Sequence, residues 1–196
     1  MRDRSAPRRR ARDGDLSLAE RVRPIIVFVA AIWAVYLLDL ILPFEQLGLV
    51  PRSFTGLIGI VTMPFLHGSL GHLLSNTLPL VILLGLMVLS RPRPWSTMVL
   101  LTLISGVALW LFGRPALHIG ASGLIYALMG FLIAAGALKR RLVPAAVALF
   151  VGLTYGASII GGILPGQSGV SWEGHLFGLI AGAALAWTRF GPVRQA

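Results

Sequence analysis

Six apolar stretches divide this chain, at about residues 24–42, 69–90, 95–112, 122–138, 142–164 and 172–190, and the polar residues collect between them. Each stretch is close to the roughly 20 residues a helix needs to cross a ~30 Å hydrocarbon layer. Inside lipid the backbone has no water to bond, so the spans are predicted as helices. The first stretch is too long for the core of a signal peptide, and five more follow it, which predicts a retained anchor. Residues 1–23 are Arg-rich, with Pro, Asp and Gly and little apolar content; they read as a disordered basic tail. Residues 191–196 read as a second, short tail. The fold class expected is all-α: a polytopic membrane protein with a six-transmembrane-helix bundle over residues 24–190.

Composition supports the membrane reading. The chain is 56% hydrophobic and 12% charged, with a mean hydropathy of +0.83. A net charge of +10 raises the question of nucleic acid. The charge is not a patch, however. Fifteen of the seventeen Lys and Arg fall in the N-terminal tail, in the loops after the second and fourth spans, and at or beyond the end of the sixth. Only Arg52 and Arg114 fall on the other side. The positive-inside rule then places both termini in the cytoplasm, which an even number of spans requires. Arg outnumbers Lys sixteen to one, an association with GC-rich bacterial genomes, so the expected location is a bacterial plasma membrane. Cysteine is absent, which excludes thiol catalysis and thiolate metal sites. The HExxH zinc signature is absent too. No cofactor, metal or nucleic acid is expected.

The longest connection runs from Pro43 to Leu66 and carries Phe54, Leu57, Ile58 and Ile60, so it is expected to lie partly in the membrane interface. The three-residue linker Lys139–Arg141 makes spans four and five a tight hairpin.

The reactive residues gather at one end. All four histidines, at 67, 72, 118 and 175, fall on the outer side or at the outer end of a span. Spans two, four and six run inward, and their first turns carry His72 and Asn76, then Ser122, then His175. Ionisable groups at membrane depth point to function, and three helices here converge on one level. His72 and Asn76 are four apart, about 40° around a helix. Both can donate hydrogen bonds to a developing oxyanion; the structural alternative is a bond that glues the bundle. His67 and His72 are five apart, about 140° around a helix, which disfavours a shared metal.

Ser122 stands in HIGASGLIYALMG (118–130), where a loop gives way to an apolar run. A serine there is ordinarily a cap. Leu124 replaces the second glycine of G-x-S-x-G, so the nucleophile elbow of the α/β-hydrolases does not apply. The helix N-terminus offers unpaired N–H groups instead, and Gly120 and Gly123 clear space around the hydroxyl. Gly174, Gly178 and Gly182 form a small-residue stripe in span six, answered by Ala127, Gly130 and Ala134 in span four. Close packing of these spans brings His175 to Ser122, a nucleophile–base pair. Tyr126, one turn along from Ser122, is placed to pack on the His175 ring. No acidic third member is evident: Glu173 is two residues from His175, and Asp39 is expected to pair with a loop donor. The expected centre is a Ser122–His175 dyad, with Ser158 the rival nucleophile.

The stretches HGSLGHLLSN (67–76), HIGASGLIYALMG (118–130) and EGHLFGLIAG (173–182) together resemble the rhomboid family of intramembrane serine proteases. They occur in family order on spans two, four and six, and the resemblance covers about residues 24–190. It implies that Ser122 is the nucleophile of the G-x-S-G motif and His175 the general base. It implies that His72 and Asn76 are the H-x-x-x-N pair of the oxyanion hole, and that Tyr126 is the aromatic beside the base. His67 matches a structural histidine associated with the first outer loop. The Trp-Arg pair common in that loop is missing; Ile58 and Gly59 stand near its place. The implied substrates are single-span membrane proteins, cut near the outer boundary where small or helix-breaking residues let the helix unwind. The Gly-rich fifth span and the outer loops are expected to open for them.

Two other readings compete. One is a catalytically inactive relative that binds transmembrane segments; the intact Ser122, His175, His72 and Asn76 argue against it. The other is a small transporter or metal channel, which lacks thiols and has few buried carboxylates. An aspartyl protease needs two facing carboxylates, and the inner halves of the spans carry none.

Overall fold

The computed structural model describes residues 17–90, 94–139 and 141–192. The predicted spans appear as α1 (Leu18–Asp39), α3 (Leu70–Ser90), α4 (Pro94–Phe112), α5 (Ser122–Lys139), α6 (Leu142–Gly162) and α7 (Trp172–Phe190). A one-turn α2 (Gly59–Thr62) lies in the long loop between α1 and α3, between short 3-10 turns at Thr55–Ile58 and Met63–Phe65. Among the described residues the β-structure is a single bridge, Leu49 with His118.

The first helix starts earlier than its apolar stretch. Residues 18–23, read from the sequence as disordered tail, are helical. The reason is a capping box: the Ser17 hydroxyl accepts from the Glu20 N–H at 3.3 Å, and the Glu20 carboxylate accepts from the Ser17 N–H at 2.7 Å. Residues 1–16 and 193–196 of the two expected tails lie outside the described residues, as does the loop carrying Arg91 and Arg93.

Helices α1, α3, α4, α5 and α6 are long and apolar enough to cross a membrane. Helix α7 has the length, 19 residues, but polar ends with Glu173, His175 and Arg189. Apolar side chains such as Ile26, Leu78, Leu149 and Leu153 stand exposed around the bundle. In water such a belt would drive aggregation; in lipid it is the contact surface. This is an integral membrane protein.

Helix α5 is the central post, buried without interruption from Gly123 to Leu132. Its closest neighbour is α7, and glycine is the reason. A Cβ on Gly178 would overlap the Gly123 carbonyl, one on Gly182 the Ala127 carbonyl, and one on Gly130 the Leu179 carbonyl. Each glycine costs a helix about 1 kcal/mol against alanine. Backbone-to-backbone approach offsets that cost, because lipid supplies no hydrophobic force to hold helices together. Gly174 differs: its Cβ would meet the Ser171 hydroxyl at 2.7 Å, within its own helix cap.

The long loop between α1 and α3 is anchored without the missing Trp-Arg pair. Leu49, Ile60 and Met63 pack with Leu109 of α4 in a small second core. Trp110 donates its indole N–H to the Ser53 carbonyl at 2.9 Å. Arg52, at φ 58, donates from Nη1 to the Gly113 carbonyl at 2.8 Å and the Leu111 carbonyl at 3.2 Å. The cation thus closes the C-terminal end of α4, where the helix dipole favours positive charge. Phe54, Ile58 and Val61 stay exposed on the loop's other side.

Candidate active site

The N-terminal ends of α3, α5 and α7 enclose a cavity of about 660 Å³ whose lining includes His72, Asn76, Ser122 and His175. Ser69 begins α3 by accepting the His72 N–H at 3.1 Å. Asn76 donates one amide hydrogen to the His72 carbonyl at 2.9 Å, which orients its side chain and leaves the second N–H available. The backbone leading to Ser122 runs directly beneath the His72 ring. Gly120 has φ +109, and a Cβ there would lie 2.6 Å from His72 Nε2 and 3.8 Å from Asn76 Nδ2. Only glycine takes that conformation and that contact without strain.

Ser122 is the first residue of α5, and the Ile125 N–H is the first to return, at 3.0 Å, to the Ala121 carbonyl. The N–H groups of Ser122, Gly123 and Leu124 therefore have no partner within the helix. Among the described residues the Ser122 hydroxyl takes no capping bond, unlike Ser69 or Ser17. It is half-buried at the cavity wall.

His175 lies in the first turn of α7, which Ser171 caps by accepting the Gly174 N–H at 3.3 Å. Its Nδ1 is 2.9 Å from the carbonyl of Gly162, the last residue of α6. A carbonyl only accepts, so this bond requires the proton on Nδ1 and leaves Nε2 as the basic nitrogen. The Tyr126 ring stacks on the imidazole, with centroids 4.1 Å apart and planes 2° from parallel. The Tyr126 hydroxyl donates to the Ser158 carbonyl at 2.5 Å. Two α6 carbonyls thus fix the base and the ring behind it.

The structure brings Ser122, His175, His72 and Asn76 to one cavity and sets Tyr126 against His175 from outside it. Among the described residues, Ser122 and His175 are not hydrogen-bonded to each other; free enzymes often hold such pairs loosely. Ser158 is exposed on α6 and outside the cavity lining, so its carbonyl, not its hydroxyl, serves this site. Asp39 accepts the Glu45 N–H at 3.1 Å, a loop donor. Glu173 is buried and pairs with Arg114, Nε to Oε1 at 3.5 Å.

His67, in the loop before α3, is buried with its ring 4.9 Å from that of His72, edge to face. Burial above all, then the neighbouring His72, pushes its pKa down to about 4, with the Phe65 carbonyl opposing, so it is neutral near pH 7. His118 is also pushed down, first by burial and to a lesser degree by the Arg114 cation, against the Arg114 carbonyl and the Glu173 charge. Sequence reasoning did not find the Gly162 carbonyl, nor the bond between His118 and Ser171 described below. A backbone acceptor leaves no mark in a sequence. His118 offered a signal in its place four residues before Ser122.

The sequence model of the Rhomboid domain matches residues 55–192. An uncharacterized protein of Mycobacterium tuberculosis is 35% identical over 184 residues, covering 88% of this chain and 76% of that protein. An uncharacterized protein of Mycobacterium bovis matches to the same extent. One of Mycobacterium leprae is 34% identical over 184 residues, covering 87% of this chain and 72% of its own.

Proposed function

This chain belongs to the rhomboid family, a family of intramembrane proteases, and on that premise we propose that it is an active serine endopeptidase. Its substrates are single-span membrane proteins, and it cuts them near the outer boundary of the membrane. Both termini are cytoplasmic and the cavity opens outward, as the distribution of Lys and Arg supports.

The chemistry follows from the residues at the cavity. Ser122 Oγ attacks the scissile carbonyl carbon as His175 Nε2 takes the hydroxyl proton. Negative charge gathers on the carbonyl oxygen. His72, the Asn76 amide and the free N–H groups at the start of α5 are the donors that receive it. The tetrahedral species collapses: the C–N bond breaks, and His175 returns its proton to the leaving amine. A water molecule, deprotonated by the same nitrogen, then attacks the acyl-serine; the C–Oγ bond breaks, His175 returns the proton to Ser122 Oγ, and the second product leaves as the acid. A carboxylate would ordinarily orient the imidazole; the Gly162 carbonyl does so here, and the stacked Tyr126 ring restricts its rotation.

One observation carries this reading: the Nδ1 bond to Gly162 leaves His175 Nε2 basic at the cavity that Ser122 lines. The test uses the full chain in detergent with a model single-span substrate. Wild type should cleave it, and Ser122→Ala and His175→Ala should not. A chelator should change nothing. Cleavage that persists in Ser122→Ala overturns the nucleophile assignment. A wild type that binds the substrate without cutting it favours the inactive relative.

A further inference from the structure

His118 belongs to the segment that ends at Ser122, yet its ring reaches the helix that carries His175. Its backbone is fixed by the loop opposite: the Leu49 N–H donates to the His118 carbonyl at 2.9 Å, and the His118 N–H to the Leu49 carbonyl at 2.8 Å. Its ring is fixed twice. Nε2 is 3.2 Å from the Arg114 carbonyl, which can only accept, so Nε2 carries the proton. Nδ1 is therefore an acceptor, and its partner at 2.6 Å is the Ser171 hydroxyl, which must donate. The Ser171 oxygen in turn accepts the Gly174 N–H, and the Ser171 carbonyl accepts the His175 N–H at 3.1 Å. A continuous chain of bonds thus links the loop before Ser122 to the turn that holds His175. A second strap runs beside it. Arg114 donates from Nη2 to the Val170 carbonyl at 2.9 Å and pairs through Nε with the buried Glu173.

We propose that His118 is a positioning residue: through Ser171 it sets where α7 begins, and so where His175 stands relative to Ser122. The proposal rests on the hydrolase reading of the site. The α5–α7 glycine seam is tightest at Gly178 and Gly182, where a Cβ would overlap α5 backbone, and looser at the first turn of α7, where a Cβ on Gly123 would lie 3.5 Å from the Gly174 carbonyl. A small displacement of that turn carries the imidazole with it, and misplacing a base by an ångström costs rate rather than binding.

The experiment measures kcat and KM on a single-span substrate for the full chain in detergent. The variants are His118→Phe, Ser171→Ala, the two together, and His118→Asn, with thermal unfolding of each. Each of the first two should lower kcat roughly tenfold or more and leave KM within about twofold. The double variant should be no worse than the poorer single one, because the His118–Ser171 bond is lost in all three, while Ser171→Ala and the double variant both also lose the cap on the Gly174 N–H. His118→Asn, whose side-chain oxygen can accept the Ser171 proton, should recover much of the loss. Should His118→Phe fail to fold, Ser171→Ala carries the same test from the other partner. Unchanged kcat in Ser171→Ala overturns the proposal. So do losses that multiply in the double variant, or losses that track the unfolding temperature without rescue by Asn. If Ser122→Ala is inactive while His118→Phe keeps full kcat, only the positioning role falls. If Ser122→Ala still cleaves, the hydrolase reading falls instead.

Discussion

Helices α6 and α7 are both rich in glycine, and they use it in opposite ways. In α7, Gly178 and Gly182 meet the backbone of α5 so closely that no side chain fits. In α6, a Cβ on Gly152, Gly156 or Gly161 would find nothing within 4 Å. Helix α7 buries seven residues, Ala181, Leu185 and Ala186 among them; α6 buries Val151 and Tyr155. Yet α6 is not detached. Gly136 of α5 meets Pro144 and Ala148 near the hairpin, and the C-terminal end of α6 holds His175 and Tyr126 through its carbonyls. One helix is locked backbone to backbone; the other packs mid-length through Val151 and Tyr155 alone among its buried residues and is pinned at its ends. The lesson is that glycine content does not report packing. A glycine stripe is a seam only where a neighbour's backbone answers it.

The most damaging way to probe this contrast is Gly182→Leu. Its side chain would run into the Ala127 carbonyl and the Phe131 N–H, neither of which can move without breaking α5. The folded fraction in mild detergent should collapse, a cost of about 3 kcal/mol or more. Wild-type stability in this variant would mean the seam is not where the fold is held.

Gly162→Ala sharpens the comparison at the pinned end of α6. The new methyl would press on the Tyr126 hydroxyl and lie 3.0 Å from His175 Nδ1. We expect kcat to fall about tenfold or more, equivalent to ~1.4 kcal/mol or more of transition-state stabilisation, with the unfolding temperature little changed.

Acid should loosen the loops beside the locked half. An unfolded histidine binds its proton near pH 6.5, whereas folded His67 stays neutral down to about pH 4. Between those values the unfolded chain holds more protons, so stability is lost as pH falls through that window and levels off below it. His118, also pushed down, adds to the same trend. Unfolding temperatures measured from pH 7 to pH 4 should decline, and His67→Gln should flatten part of the slope.

The smallest effect has the opposite sign. Gly152→Ala and Gly156→Ala meet open space, so each should stabilise α6 by about 0.5–1 kcal/mol and leave cleavage within about twofold. A large drop in cleavage with higher stability would show that α6 must bend along its length.

Much of this arrangement was legible before any coordinates. Apolar length located the spans, because a bilayer imposes length and helicity together. The start of α1 was misplaced because polar composition outweighed a local signal: Ser17 and Glu20 stand three apart ahead of the apolar run, the spacing of a capping box. The gathering of Ser122, His175, His72 and Asn76 was legible because alternate spans run parallel and each carries its polar residues near its N-terminal end. The Gly162 carbonyl was not, because every residue carries one and only the fold selects which is used. Nor was the difference between the glycines of α6 and α7, which depends on what lies opposite.

The central claim is that the hydroxyl of Ser122 is activated by His175 across the cavity they share. The most direct measurement is labelling of the purified protein with a serine-directed fluorophosphonate, with the adduct mapped by mass spectrometry. The account predicts a single adduct on Ser122 in wild type and none at that position in His175→Ala. An adduct on another serine, or undiminished labelling of Ser122 without His175, would contradict it.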